Sequence, residues 1–203
     1  MKENPQKPPR YKEDNSIYFL TFCTFKRLPL LHVPGIPEFL IEELKFYERK
    51  IQKLIAYTIM PDHIHLIVEV KTVQSLSNFL RDFKKFTSRE ISNRSSRSPN
   101  GANNQPNDIN TSPNGANNQP NNDNKPNRIW QPGTMDHCIR MSWDGKDYSH
   151  HISYLFYNSH KHLGIAPKDF PYHNFMEFVQ AGYFDKDFCS WDEKAGEQFQ
   201  MYE

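Results

Sequence analysis

Two histidines separated by one residue stand at the start of an apolar segment, as His63-Ile64-His65. The β-branched residues that follow predict a strand over residues 63–70. Because side chains alternate between the faces of a strand, the two imidazoles should point the same way. Two converging imidazoles can begin a divalent-metal site. The alternative is a pair of hydrogen-bonded histidines near a strand end, since such tripeptides also occur by chance.

A second segment, residues 144–163, has helical periodicity and supplies a candidate nucleophile, Tyr154. At ~100° per residue, Tyr154 lies in a polar stripe, with Asn158 one turn later on the same face. The other polar members of this stripe are Asp147, His151 and Lys161. The opposite, apolar side holds Tyr148, Ile152, Leu155, Phe156 and Leu163.

A tyrosine in this setting can attack phosphorus, and the phosphotyrosine so formed keeps the bond energy for rejoining. A free phenol has a pKa of ~10, so it needs a nearby cation or a metal-polarised phosphate. The side-chain oxygen of Asn158 is a candidate third ligand for magnesium or manganese. An ordinary helix tyrosine is the alternative for Tyr154. Tyr157 is the rival nucleophile, but it lies ~60° away and has no oxygen ligand one turn on.

The elements that carry these residues alternate in a simple order. Strands are predicted over residues 16–25, 54–60, 63–70 and 129–141, and helices over residues 37–51, 74–92 and 144–163. Pro61-Asp62 marks a turn between two strands, and Gly164 is a helix stop. This order predicts an α+β fold, an antiparallel sheet with helices packed on it.

Residues 93–127 contain a ten-residue segment that occurs twice, at residues 98–107 and 112–121. The tract is almost free of apolar side chains and cannot offset its ordering entropy. We therefore predict a disordered insertion over 93–127 within one domain, residues 16–171. A flexible N-terminus over 1–15 and an acidic extension over 172–203 complete the predicted organisation.

Composition excludes several classes of protein. No apolar run approaches the ~20 residues that a membrane span needs, and no secretory signal is visible. The three cysteines are widely spaced, which indicates free thiols and a cytoplasmic location. The net charge is only +1, yet residues 81–97 hold six basic residues against two acidic ones. Four of these basic residues are candidates for phosphate contact on single-stranded DNA: Arg81, Lys84, Lys85 and Arg89.

Several segments together resemble one family. They are residues 17–23, 56–67, 129–131 with 136–140, and 154–158; where this chain reads Met60-Pro61-Asp62-His63-Ile64-His65, the family usually reads Met-Pro-Asn-His-Val-His. The sequence thereby resembles the REP-associated tyrosine transposases, relatives of the single-tyrosine HUH transposases of small insertion sequences. It departs from them after Asn158, where Ser159 and His160 replace the usual Pro-Val.

This resemblance implies a ferredoxin-like (RRM-like) sheet, with a helix that lays its tyrosine over the two histidines. It implies His63, His65 and Asn158 as metal ligands and Tyr154 as nucleophile. Arg140, which would lie near this site, is a further candidate for DNA contact. Its implied partner is single-stranded DNA with hairpin structure, and cleavage would leave a 5′-phosphotyrosine bond and a free 3′-hydroxyl. The implied cofactor is Mg²⁺ or Mn²⁺, with no nucleotide cofactor.

The sequence therefore predicts a metal-dependent, transposase-like DNA endonuclease and strand transferase. Two other functions stay open: a domesticated relative that binds hairpin DNA without cutting it, and a metal hydrolase of small phosphoesters. The extra Asp and His clusters that a hydrolase usually needs are not visible in the sequence. Whether the protein is a monomer or a homodimer also stays open.

Overall fold

A computed structural model describes residues 13–97, 128–140 and 145–189. Its regular elements follow the predicted order, with several short 3₁₀ turns between them. The strands are β1 (Ser16–Cys23), β2 (Lys53–Ile59), β3 (His63–Val70) and β4 (Met135–Ile139), and the helices are α1 (Ile36–Tyr47), α2 (Val73–Arg97), α3 (Lys146–Leu163) and α4 (Phe175–Gln180).

The four strands form one antiparallel sheet in the order β2-β3-β1-β4. Strand β1 lies in the middle, because the β1–α1–β2 and β3–α2–β4 connections each cross over a neighbouring strand. Split crossovers of this kind define the ferredoxin-like arrangement. The predicted fold class is confirmed.

Alternation along β3 explains why the sheet has two buried faces. Ile64, Leu66 and Val68 pack in one apolar cluster with residues of α1 and α2. Ile67 belongs to the second cluster, which α3 and α4 cover from the other side. A strand buried on both faces has a continuous apolar run, as β3 does. His63 and His65 share the face of Ile67, so they lie beneath α3.

Helix α3 runs without interruption from Lys146 to Leu163. Gly145 and Gly164 flank it in the left-handed conformation, and the Gly164 N–H donates to the His160 carbonyl at 2.9 Å. Glycine adopts this backbone shape at little cost, which explains the predicted stop at Gly164. Ser159 and His160 can continue a helix where Pro-Val would end one, so the last turn forms.

The segments outside the core are described only in part. Helix α2 reaches Arg97, so the prediction of disorder from residue 93 was wrong for residues 93–97. The rest of the predicted insertion, 98–127, lies outside the described residues, as do residues 1–12 and 190–203. In the predicted extension, Phe175 and Phe178 pack in the cluster beneath α3. Among the helices of the described segments, none has the length and apolarity needed to cross a membrane.

Candidate active site

His63 and His65 lie side by side at the start of β3, and both are buried. Their ring centroids are 4.7 Å apart and the rings are nearly perpendicular, at 81°. This places the two imidazoles on one face of the sheet, as the period of the strand predicts. The hairpin that leads into them is closed by the Met60 N–H, which donates to the His63 carbonyl at 2.8 Å.

Each histidine is oriented through its Nδ1 atom. His63 Nδ1 lies 2.6 Å from Asp62 Oδ1, and His65 Nδ1 lies 2.8 Å from Thr21 Oγ1. An ionised carboxylate can only accept, so His63 donates from Nδ1 and keeps the lone pair on Nε2. Histidines that bind metals are commonly held in this way by a partner on the other ring nitrogen. Neither Thr21 nor Asp62 was identified as a site residue from the sequence.

Asp62 stays ionised because of its neighbours. Burial acts to raise its pKa, but the hydrogen bond from His63 and the Arg27 guanidinium, 3.3 Å away, outweigh that effect. The pKa of Asp62 is therefore held below its usual value. A permanent negative charge at this position keeps the Nδ1 tautomer of His63 in place.

Tyr154 lies directly over this pair. Its ring centroid is 5.5 Å from that of His65, at an interplanar angle of 71°, and Phe19 packs against both rings. The Lys161 ammonium lies 5.9 Å from the centre of the Tyr154 ring. The polar stripe of α3 thus faces the sheet and the histidines.

Tyr157 takes a different position from Tyr154. It is a member of the apolar cluster beneath α3, and burial raises the pKa of its phenol. The cavity that contains Tyr154 does not include Tyr157 among its lining residues. The structure therefore brings Tyr154, and not its rival, to the two histidines.

Asn158 is fully buried one turn after Tyr154. Its Nδ2 donates to the Tyr154 carbonyl at 2.6 Å. Its Oδ1 and His65 Nε2 are both buried, and neither has a hydrogen-bond partner of normal geometry within the described residues, although the Asn158 side chain lies close enough to His65 to act on its pKa. Buried polar atoms are normally satisfied, so two orphaned ones at a single site call for an explanation.

The lowered pKa of His65 indicates that its ring can bind a metal ion. Burial and the neighbouring His63 hold the pKa of His65 well below its usual value, while the Asn158 side chain acts in the opposite direction. His65 is therefore neutral, with its Nε2 available to a metal. Two imidazole nitrogens and one amide oxygen suit a divalent cation such as Mn²⁺ or Mg²⁺. Coordination of such an ion would give His65 Nε2 and Asn158 Oδ1 the partner that they lack.

A cavity of about 400 Å³ encloses these groups. It is lined by Phe19, Thr21, Arg27, His63, His65, Met135, Asp136, His137, His151, Tyr154 and His162. Polar groups converge in it from β1, β3, β4 and α3. A recess of this kind, holding a phenol and a candidate metal site, can accommodate a phosphodiester and one attacking group.

Comparison with known proteins gives a consistent family. Residues 13–103 match the family model described as "Transposase IS200 like". A Haemophilus influenzae protein described as "Putative REP-associated tyrosine transposase" is 25% identical over 190 residues, which cover 87% of this chain and 91% of the relative. The family resemblance is confirmed. An Escherichia coli "REP-associated tyrosine transposase" is 36% identical over 73 residues, 34% of this chain and 42% of that protein.

The fold of this chain also has a solved counterpart. A structure described as a REP-associated tyrosine transposase bound to a REP hairpin aligns with a TM-score of 0.62 at 22% identity. The alignment covers 94% of this chain and 96% of that one. At this level of identity the match establishes a shared fold, in agreement with the sheet order described above.

The described residues also contain a second cluster of metal-binding residue types that sequence reasoning missed. His137 of β4 and the pair Asp147 and His151 of α3 bring their ligand atoms within 4.8 Å of one another. The only signal in the sequence was the (i, i+4) spacing of Asp147 and His151. The strand residue that completes the cluster is ten positions upstream of Asp147.

The predicted DNA-contacting residues of this chain are not equivalent. The Lys84 ammonium donates to the Gly133 carbonyl and, at 2.9 Å, to Thr134 Oγ1, and burial lowers its pKa to about 8. Arg81 pairs with its neighbour Asp82 at 2.9 Å. Lys84 therefore holds the turn before β4, and Arg81 already has an anionic partner.

The remaining basic candidates occupy two places. Lys85 and Arg89 line a groove between α2 and residues 128–131, which Arg128 also lines. Arg140 is exposed at the end of β4, where its backbone N–H donates to Asp147 Oδ2 at 2.8 Å. The groove is the stronger candidate for contact with a phosphate backbone, because three cations converge on it.

Proposed function

We propose that this protein is a metal-dependent endonuclease and strand transferase that acts on single-stranded DNA carrying a hairpin. Tyr154 is the nucleophile and His63, His65 and Asn158 are the metal ligands. One observation carries the proposal: the Tyr154 ring lies 5.5 Å from His65, within the cavity that also contains His63.

The covalent step follows from the nature of the nucleophile. The Tyr154 oxygen attacks the scissile phosphorus, a Tyr–O–P bond forms and the bond from phosphorus to the 3′ oxygen breaks. The leaving oxygen takes up a proton and becomes a free 3′-hydroxyl, while the 5′ phosphate stays on the enzyme. Attack by a 3′-hydroxyl reverses the step and rejoins or transfers the strand, so no nucleotide cofactor is needed.

The residues around Tyr154 serve this step in different ways. A divalent ion held by His63 Nε2, His65 Nε2 and Asn158 Oδ1 would supply Lewis-acid polarisation of the scissile phosphate. The Lys161 ammonium favours the phenolate, since a positive charge lies 5.9 Å from the ring centre. Phe19 packs against Tyr154 and His65 and restricts both rings. Tyr154 is thereby oriented before substrate binds, which lowers the entropic cost of attack.

A path for the DNA leads from α2 to the cavity. Lys84 lines both the basic groove and a second recess beside the 133–134 turn. Asp136 lines both that recess and the cavity of Tyr154. The three depressions are therefore neighbours, because each shares a lining residue with the next. A duplex stem can lie against Lys85, Arg89 and Arg128 while the adjoining single strand enters the cavity.

The hairpin preference is supported by the relatives. The structurally similar protein is described as bound to a REP hairpin, and the curated relatives are described as REP-associated tyrosine transposases. The basic groove supplies the phosphate contacts that such a substrate needs. We therefore expect this protein to select its substrate by the shape of the hairpin.

A single assay tests the proposal. The protein is incubated with hairpin oligonucleotides and Mn²⁺, and a protein–DNA adduct that survives denaturing electrophoresis is sought. We expect the adduct with the wild-type protein and with Tyr157→Phe, and its loss with Tyr154→Phe. An adduct that persists in Tyr154→Phe contradicts the assignment of the nucleophile. Tight hairpin binding without any adduct would instead identify a non-cleaving DNA-binding protein.

A further inference from the structure

A second group of ligand-type side chains, distinct from the His63 and His65 pair, consists of His137, Asp147 and His151, and its two histidines line the same cavity. His137 Nε2 is 3.4 Å from Asp147 Oδ2, and His151 Nδ1 is 3.1 Å from Asp147 Oδ1. Two ligands that are each ~2.1 Å from a tetrahedral ion lie ~3.4 Å apart. These two spacings are close to those of a coordination sphere, and the ligand atoms of all three residues lie within 4.8 Å of one another.

The scaffold of this cluster is rigid on both sides. His137 pairs with Phe19 in the β4–β1 register, and Asp147 and His151 lie one turn apart on α3. His151 is only 2% exposed and its ring stacks on that of His137, with centroids 4.7 Å apart at 13°. Asp147 is fixed further by the Arg140 N–H. The backbone positions of the three side chains are thus fixed, and ion binding would require the exposed His137 ring to rotate out of its stack on His151.

We propose that His137, Asp147 and His151 form a second metal site, one that takes a transition-metal dication of the Zn²⁺, Co²⁺ or Ni²⁺ class. Two imidazoles and one carboxylate form a ligand set that ions of this class commonly take. His137 and His151 both line the cavity, so the open coordination positions face the space where substrate would lie.

The metal-free cluster is held together by hydrogen bonds that an ion would replace. His151 Nδ1 lies 2.8 Å from the Asp147 carbonyl oxygen as well as close to the Asp147 carboxylate. With this nitrogen donating to that carbonyl, an ion that binds at Nδ1 would require the other tautomer of His151, in which the proton is on Nε2.

An ion at this position would brace the nucleophile helix. It would tie the first turn of α3 to β4, and Tyr154 follows His151 by three residues, about one turn. The site would then have a positioning role for Tyr154 that is separate from the polarisation of phosphate at His63 and His65. This inference does not depend on DNA cleavage, because it concerns ion binding by residues of β4 and α3.

The test measures cobalt binding by calorimetry and by visible absorption of Co²⁺ in the full-length protein. The double variant His63→Ala/His65→Ala removes the first site, and His137→Ala or Asp147→Asn is then added to it. His137 is chosen because it is 49% exposed and its loss should spare the fold, which circular dichroism verifies. His150→Ala, on the exposed side of the same helix, is the matched control.

We expect two equivalents of Co²⁺ in the wild-type protein and one in the double variant. Adding His137→Ala or Asp147→Asn should weaken the remaining site at least ~10-fold, while His150→Ala leaves it unchanged. The proposal is overturned if the double variant binds no cobalt, or if its affinity is indifferent to His137→Ala and Asp147→Asn. Loss of the DNA adduct in the earlier assay has no bearing on either outcome.

Discussion

Asn158 and Asn174 are the two asparagines buried among the described residues, and they should respond in opposite ways to replacement by leucine. Asn158 makes one side-chain hydrogen bond and leaves Oδ1 unpartnered among the described residues. Both side-chain polar atoms of Asn174 are hydrogen-bonded. Its Oδ1 accepts from the Tyr57 N–H at 3.1 Å, and its Nδ2 donates to the Ile55 carbonyl at 3.0 Å and to Glu177. Leucine has nearly the same volume, so the comparison isolates the polar atoms.

The magnitudes follow from the hydrogen bonds. At Asn158, leucine removes an unsatisfied carbonyl that costs about 1–3 kcal/mol and loses one hydrogen bond that contributes about 0.5–1.5 kcal/mol. The free energy of unfolding without metal should therefore be unchanged or higher by about 1 kcal/mol. At Asn174, leucine strands the Tyr57 N–H and the Ile55 carbonyl, which should cost roughly 2–4 kcal/mol.

In the presence of Mg²⁺ the wild-type protein should become more stable than Asn158→Leu. With free Mg²⁺ at 100 times its dissociation constant, a protein that binds it only when folded gains about 2.7 kcal/mol. The wild-type protein and Asn174→Leu should show this gain, and Asn158→Leu should lose most of it, because the leucine offers no ligand.

The assay is urea unfolding in EDTA and in Mg²⁺, followed by tryptophan fluorescence and circular dichroism. The reasoning is refuted if Asn158→Leu is as destabilised in EDTA as Asn174→Leu. It is also refuted if Asn158→Leu retains the full stabilisation by Mg²⁺. Either result would make Asn158 a structural residue and remove it from the ligand set.

Three further predictions concern separate parts of the molecule. Asp62→Ala should weaken Mn²⁺ binding about 10–100-fold in calorimetry, because the His63 ring loses the partner that orients it. Asp62→Asn should keep most of the affinity, because its amide oxygen can still accept from His63 Nδ1. Equal losses in the two variants would contradict this. The double variant Lys85→Ala/Arg89→Ala should reduce the slope of log K against log salt for single-stranded DNA by about 1.4, whereas Arg81→Ala, whose partner is Asp82, should change it little. Burial lowers the pKa of His173 to about 4, whereas an unfolded histidine titrates near 6.5. As the pH decreases from about 6.5 to 4, the unfolded chain therefore binds a proton that the folded protein does not, and the free energy of unfolding decreases by up to roughly 3 kcal/mol. His173→Phe should remove that share in urea titrations at several pH values, and an unchanged pH dependence would contradict it.

The sequence was sufficient for the sheet and for the histidine pair. Strand β3 has the predicted bounds, and simple alternation places His63 and His65 together. The order of strands and helices predicts the antiparallel sheet, because each crossover has the length of a helix. Such local patterns do not depend on knowing what each element packs against.

Features that depend on docking were not predictable. Helical periodicity groups Tyr154 with Asn158, but it cannot say which side of α3 faces the sheet. The ring of His137 meets Asp147 only because β4 pairs with β1 in a particular register, which the sequence does not display. The sequence indicates that Lys84 is an exposed cation on α2, but in the structure its ammonium donates to the Gly133 carbonyl. Helix α2 passes residue 93 because propagation costs little once a helix has formed.

The central claim is that the Tyr154 oxygen becomes bonded to the 5′ phosphate of cleaved DNA. The most direct measurement is tandem mass spectrometry of the peptides that remain after nuclease and protease digestion of the adduct. We expect a nucleotide phosphate on Tyr154, with the released strand ending in a 3′-hydroxyl that a polymerase extends. A phosphate found on Tyr157 or on another residue would contradict the claim, as would a released strand that ends in a 3′ phosphate.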